Sequence, residues 1–235
     1  MMKTEKHPFE PFLPEGAKML FLGSFPPQEH RWCMSFYYPN WINDFWHIMG
    51  LIFHADKNYF CIPGEKRFDE AAIRAFCQKE GLAFYDTACE VRRLKDNAAD
   101  AFLEVVKPTD VAALLRQIPE CRTLVTTGQK ATEVIAETFG CQVPPVGGST
   151  RLEIPDFQGG LAAAGPTASE NYFSGRDPKS QFPEAIANPA HADTGPNVNP
   201  TQITFWRMPS TSRAYPLALE KKADAYRKLF EQTKG

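Results

Sequence analysis

Three short stretches of this sequence carry residue types that can work on a flat ring and a phosphate. The first, Tyr37-Tyr38-Pro39-Asn40-Trp41-Ile42-Asn43-Asp44-Phe45-Trp46-His47, packs five aromatics and several amides into eleven residues. Aromatic faces can stack on a planar ring while an amide hydrogen-bonds its edge, which is how extruded bases are held. Equally, Trp41, Phe45 and Trp46 read as core and Asn43 as an exposed first-turn residue; His47 stands one turn beyond Asn43, on the same helical face. The second stretch is Gly23-Ser24-Phe25-Pro26-Pro27. Its glycine lets backbone approach a ligand and its prolines stiffen the turn while removing donors. It lacks the length and the lysine of a phosphate loop, and it also reads as a tight strand exit. The third is Met208-Pro209-Ser210-Thr211-Ser212-Arg213-Ala214-Tyr215-Pro216. Ser210, Thr211 and Ser212 beside the N–H groups of a helix start suit a phosphate or oxyanion, or simply cap that helix. Arg213 and Tyr215 are the side chains able to enter a groove or fill a vacated base position.

The elements that must position these stretches are short apolar runs alternating with helical patterns. Met19–Leu22 precedes Gly23, Leu82–Tyr85 precedes Asp86, Thr123–Thr126 precedes Gly128, and Ile203–Arg207 precedes Met208. Such βαβ alternation predicts a mainly parallel four-stranded sheet covered on both faces, with any ligand beyond the carboxyl ends of the strands. Trp41, Phe45, Ile48 and Ile52 recur at helical spacing with Asn40 as a cap, and further helices are expected over Glu70–Lys79, over Asp110–Gln117, after Gly128, and from Pro216 onward. The last places Leu219, Ala223, Tyr226 and Phe230 inward. Cys141–Thr204 breaks the rhythm: its 64 residues hold 9 of the 20 prolines and 7 of the 15 glycines, without a sustained period. It reads as an insertion in a single domain spanning 1–235, either a surface excursion or a flap anchored by Leu152, Ile154, Phe157, Tyr172, Phe173 and Phe182.

Composition narrows the function. The chain has 235 residues, 43% apolar and 23% charged, which suits a globular domain rather than a disordered one. Lys+Arg 26 against Asp+Glu 28 gives a formal charge of −2, so a polyanion must be met by a local patch rather than a long-range field. No apolar run approaches a membrane span, and a cytoplasmic monomer is expected. The six cysteines are never closer than 12 positions, which predicts reduced, mostly buried thiols and no metal knuckle.

Taken in order, Gly23-Ser24-Phe25-Pro26, Tyr37-Tyr38 through Asn43-Asp44-Phe45-Trp46, Gly81 to Asp86 with Cys89-Glu90 and Arg92, and Pro209-Ser210-Thr211-Ser212 resemble the motifs of the uracil-DNA glycosylase superfamily, closest to its deoxyinosine (hypoxanthine) branch. The similarity covers residues 17–140 and 203–232. It implies an α/β three-layer sandwich of the uracil-DNA glycosylase type. The implied function is a monofunctional DNA glycosylase in base excision repair, hydrolysing the N-glycosidic bond of deoxyinosine or uracil in damaged DNA without metal or cofactor. Phe25 stands where most of the superfamily has a water-activating Asp, Asn or Glu, so the resemblance implies that Asn43 is catalytic. Gly23, Ser24, Phe25, Pro26, Tyr38 and His47 are the expected base pocket, and Ser210, Thr211, Ser212, Arg213 and Tyr215 the expected DNA contacts. A non-catalytic member binding nucleic acid or a nucleoside is the alternative.

Overall fold

Three of the four apolar runs become strands buried along their whole length, as strands of a parallel sheet covered on both faces are. The computed structural model describes residues 4–94, 102–154 and 201–233. In chain order its elements are β1 (Thr4–Lys6), β2 (Met19–Gly23), α1 (Phe45–His54), α2 (Glu70–Glu80), β3 (Leu82–Asp86), β4 (Ala88–Arg93), β5 (Leu103–Pro108), α3 (Val111–Gln117), β6 (Thr123–Thr126), α4 (Gln129–Phe139), β7 (Gly148–Ile154), β8 (Thr201–Arg207) and α5 (Leu219–Thr233). All described residues belong to one unit, Met1–Gly159 with Pro200–Gly235; Gly160–Asn199 lies outside them.

The main sheet has five strands in the order β3-β2-β6-β8-β7 rather than the four expected. β3, β2, β6 and β8 are parallel, and β7 adds an antiparallel edge, pairing Leu152 with Ile203 and Ile154 with Thr201. β7 falls inside the Pro- and Gly-rich stretch 141–204. Its signal is a brief alternation, Arg151 and Glu153 exposed against Leu152 and Ile154 buried, which the surrounding prolines and glycines obscured. Leu152 and Ile154 are thus core residues of a sheet strand. The other expected anchors, Phe157, Tyr172, Phe173 and Phe182, lie outside the described residues. A second, antiparallel sheet, β1-β4-β5, pairs the first strand of the chain with β4, which follows β3 directly, and β4 with β5.

Register shows which helices cover which face. Phe21 pairs with Phe84 and meets Phe45 of α1 and Phe230 of α5, ring centroids 5.6 and 6.2 Å away. Thr126 pairs with Leu22, one residue on and therefore on the opposite face, and its Oγ1 lies 2.8 Å from Thr132 Oγ1 of α4. Helices therefore cover both faces.

Two helices begin later than their spacing predicts. α1 starts at Phe45 instead of Trp41, because Asn40 closes a turn: its carbonyl accepts from Asn43 N (2.8 Å) and its Oδ1 from Ile42 N (3.1 Å). Asn43 Oδ1 then accepts from Phe45 N at 2.9 Å, satisfying a first-turn donor. α5 starts at Leu219 instead of Pro216, since Tyr215 N donates to Ser212 O and Leu217 N to Tyr215 O in the preceding loop. α2 and α3 match expectation, each capped by an aspartate, Asp69 on Ala72 N and Asp110 on Ala113 N. Among the described residues no helix is long and apolar enough to cross a membrane. All six cysteines are free thiols, and only Cys77 and Cys121 are buried; the other four are half-buried. Burial pushes the Cys121 thiol up to about 11, so it stays protonated at neutral pH.

Candidate active site

The carboxyl ends of all four parallel strands open onto one cleft of about 650 Å³, a volume typical of small-ligand sites. β2 contributes Gly23 through Pro27, β3 contributes Asp86, the residue after β6 is Thr127, and the loop after β8 supplies Ser210 through Pro216. Tyr37 through Asn40, Ile42 and Asn43 form the remaining wall with Phe9 and Arg31. The three stretches singled out in the sequence therefore converge, and Asn43, Gly23, Ser24, Phe25, Pro26, Tyr38, Ser210, Thr211, Ser212, Arg213 and Tyr215 all line the cleft.

His47 does not line it. Asn43 precedes the helix, so the one-turn relation to His47 fails; the His47 ring is buried, with Nδ1 2.8 Å from Lys57 O and edges against Trp41 and Phe68. The phosphate cradle also differs from expectation. Residues 213–218 separate the 210–212 loop from the start of α5 at Leu219, and Thr211 is buried. Ser210 Oγ accepts from Ser212 N (3.2 Å) and Ser212 Oγ from Ala214 N (3.3 Å). Each hydroxyl keeps its own O–H to donate, which a phosphate can accept.

Sequence reading passed over the groups that shape the floor. Asp86 ends β3, and its Oδ2 lies 2.9 Å from His7 Nε2, with both side chains buried. β1 brings His7 there by pairing with β4, and His7 N donates to Cys89 O. The imidazole is walled by Phe9, Phe25, Tyr37 and Tyr85, while its Nδ1 lies 2.8 Å from Phe9 O. The other Asp86 oxygen explains Gly23: a Cβ there would stand 2.6 Å from Oδ1. Because His7 holds the carboxylate, it cannot swing away. Gly23→Ala should therefore strain the cleft floor and cost about 1–3 kcal/mol of stability, as overpacking does. A denaturant melt checks this, and a variant as stable as the wild type would contradict it.

Tyr38 is fixed as rigidly. It adopts φ 53, its ring stacks on Phe45 at 4.0 Å, and its hydroxyl bonds Thr127 Oγ1 at 2.8 Å. Burial pushes the phenol far above its usual range, so it acts as a neutral hydroxyl. The Phe25-Pro26 turn rests on the small sheet: Arg93 donates to Pro26 O at 2.6 Å and to Glu5 Oε2 at 3.0 Å, and its guanidinium lies over the Phe25 ring.

One buried ion pair joins two lips of the cleft. Lys222 of α5, fully buried, donates to Asp44 Oδ2 at 2.8 Å and to Ser212 O at 2.9 Å. Asp44 N donates to Thr211 O at 2.9 Å, and Tyr226 OH to Pro209 O at 3.1 Å. Asp44 therefore leaves capping to Asn43 and spends its carboxylate on the lysine. Arg213, mostly exposed, sits 3.7 Å from Asp44 Oδ1. Among the described residues no group of three or more His, Cys, Asp or Glu is placed to hold a metal ion.

No protein-family model matches this chain, and no curated protein is significantly similar to it in sequence. Among solved structures it resembles the solution NMR structure of a protein from Methanosarcina acetivorans described as a "putative uracil DNA glycosylase". The TM-score is 0.54 at 14% identity, with 99% of this chain and 100% of that one covered. The two share a fold.

Proposed function

We propose that the chain is a DNA glycosylase that hydrolyses the N-glycosidic bond of a deaminated base in base excision. The observation that carries this reading is the pairing, in one cleft at the strand ends, of an oriented amide, Asn43, with a fixed carboxylate, Asp86. Glycoside hydrolysis develops an oxocarbenium-like sugar and a departing base that gathers negative charge. Asn43 cannot be a strong general base, but it can position water and donate. Its Oδ1 is held by Phe45 N–H, so the amide plane is set before substrate arrives; a second lone pair remains for water, and Nδ2 carries two donors for the leaving base. Charge stabilisation by such preorganised dipoles supplies most of the rate gain.

Asp86 supports the choice of base. A carboxylate accepts hydrogen bonds, and with Oδ2 taken by His7 it offers Oδ1 to the cleft beside Gly23. Deamination of adenine or cytosine turns a ring nitrogen lone pair into an N–H, the donor that such an acceptor selects. Hypoxanthine and uracil both carry it. No lysine is among the described residues lining the cleft, which favours base release without a Schiff base or strand cleavage. Ser210, Ser212 and Arg213 are the proposed phosphate contacts.

A base-release screen over duplexes bearing deoxyinosine, uracil, xanthine or a mismatch tests the reading. The expected result is an abasic product from a lactam base, with Asp86→Asn slower by about tenfold to a hundredfold, the worth of one hydrogen bond to a charged group. Tight binding without abasic product from any duplex would instead make the chain a binding member of the fold.

A further inference from the structure

Residues 4–12 lie ahead of the stretches that resemble glycosylase motifs, yet the fold threads them into the floor of the cleft. β1 pairs with β4, His7 N donates to Cys89 O, Phe12 exchanges two backbone hydrogen bonds with Phe84 (3.0 and 2.9 Å), and Glu10 O accepts from Tyr37 OH at 2.8 Å. That course fixes two side chains two positions apart. Phe9 lines the cleft, whereas His7 stays out of it and meets Asp86, which does line it.

The His7 ring has a settled partner on each nitrogen. Nδ1 stands 2.8 Å from Phe9 O and 3.1 Å from Phe9 N, so it is satisfied with or without a hydrogen. Nε2 stands 2.9 Å from a carboxylate oxygen and must carry one. Phe9, Phe25, Tyr37 and Tyr85 close round the imidazole, whose side chain is 2% exposed, so water does not compete for the Asp86 contact.

An aspartate by itself makes a poorly selective floor. Its terminal torsion is soft and its two oxygens are equivalent, so a free carboxylate turns to meet whichever donor arrives. His7 removes that freedom. With Oδ2 held, Oδ1 stays beside Gly23, 2.6 Å from where a Cβ would stand. One acceptor in one place rewards an N–H on the edge of a base and rejects a ring nitrogen that has none.

We propose that His7 is a specificity-determining positioning residue: it acts through Asp86, leaving it a single oriented oxygen, and so makes the cleft select a lactam N–H. This rests on the reading of the cleft as a glycosylase site with Asp86 toward the base.

The test uses the full chain as wild type, His7→Gln and His7→Asn under single-turnover conditions. The substrates are duplexes bearing uracil or deoxyinosine, and the same duplexes with that base methylated at the ring nitrogen that carries the N–H. Glutamine brings its amide N–H close to the place of Nε2, and asparagine only to that of Nδ1. The readout is the ratio of the rates on the plain and the methylated base, which a smaller folded fraction leaves unchanged. His7→Asn is expected to lower that ratio about tenfold, the worth of one hydrogen bond to a charged group, and His7→Gln to keep it near the wild-type value. A wild-type ratio in His7→Asn, or equal losses in the two variants, would overturn the role of His7 and leave the glycosylase reading standing. A wild-type protein that releases no base from any of these duplexes would remove that reading and the role of His7 with it.

Discussion

Replacing Asn43 with Ala is expected to lower single-turnover base release by on the order of 10²–10³, the usual loss when one preorganised electrostatic group is removed. The same substitution removes the acceptor for Phe45 N and should cost about 1 kcal/mol of stability, as lost caps do. A second variant separates the two effects. Asn43→Asp keeps an acceptor for Phe45 N but has no amide hydrogens to offer the leaving base. It should melt near the wild type and still be nearly as slow as Asn43→Ala. If Asn43→Ala keeps the wild-type rate, the assignment of Asn43 is wrong. If Asn43→Asp keeps it, donation to the base is not what the amide contributes.

Lys222→Met should be the most destabilising exchange in the site region. The lysine is fully buried and Asp44 nearly so, and removal of one partner leaves the other carboxylate uncompensated, a loss of about 3–5 kcal/mol. For a chain of this length that lowers Tm by roughly 10 °C. Arg213, 3.7 Å from the other Asp44 oxygen but largely in water, relieves little of it. Adding Asp44→Asn to Lys222→Met should recover part of the loss, because the stranded charge is then gone. A double-mutant cycle from denaturant melts reads the coupling, and additive losses would mean that the pair does not bind the lips together. Activity should fall as well, since Lys222 also holds Ser212 O.

The legible part of the site was the part with local signals. Gly23-Ser24-Phe25-Pro26, Asn43 and Ser210-Thr211-Ser212 each stand at or near the end of a strand or the start of a helix. Apolar runs mark the parallel strands, and the rule that ligands sit beyond their carboxyl ends then brings these stretches together without coordinates. The same rule pointed to Asp86 and Thr127, which follow the second and third runs. They went unchosen because a lone strand-end residue has no partner visible in sequence. His47 was chosen on helical spacing, but a spacing argument holds only inside the helix, and Asn40 delays that helix to Phe45.

By itself, the sequence determined that the chain is α/β, where its four parallel strands lie, and that an aromatic and amide segment and a hydroxyl loop meet where those strands end. Each of these rests on interactions among near neighbours: periodicity, capping and turn chemistry. The tertiary structure alone decided the rest. It added β7 as an antiparallel edge, brought His7 to Asp86 across 79 positions, and set Lys222 against Asp44 across 178. Contacts at such separations leave no period to read: a histidine in a proline-broken leader and a lysine on a helix face look like solvated residues until the fold removes the water around them. Burial turns both into fixed partners, because a buried charge or imidazole must find a counterpart and then holds it in one place.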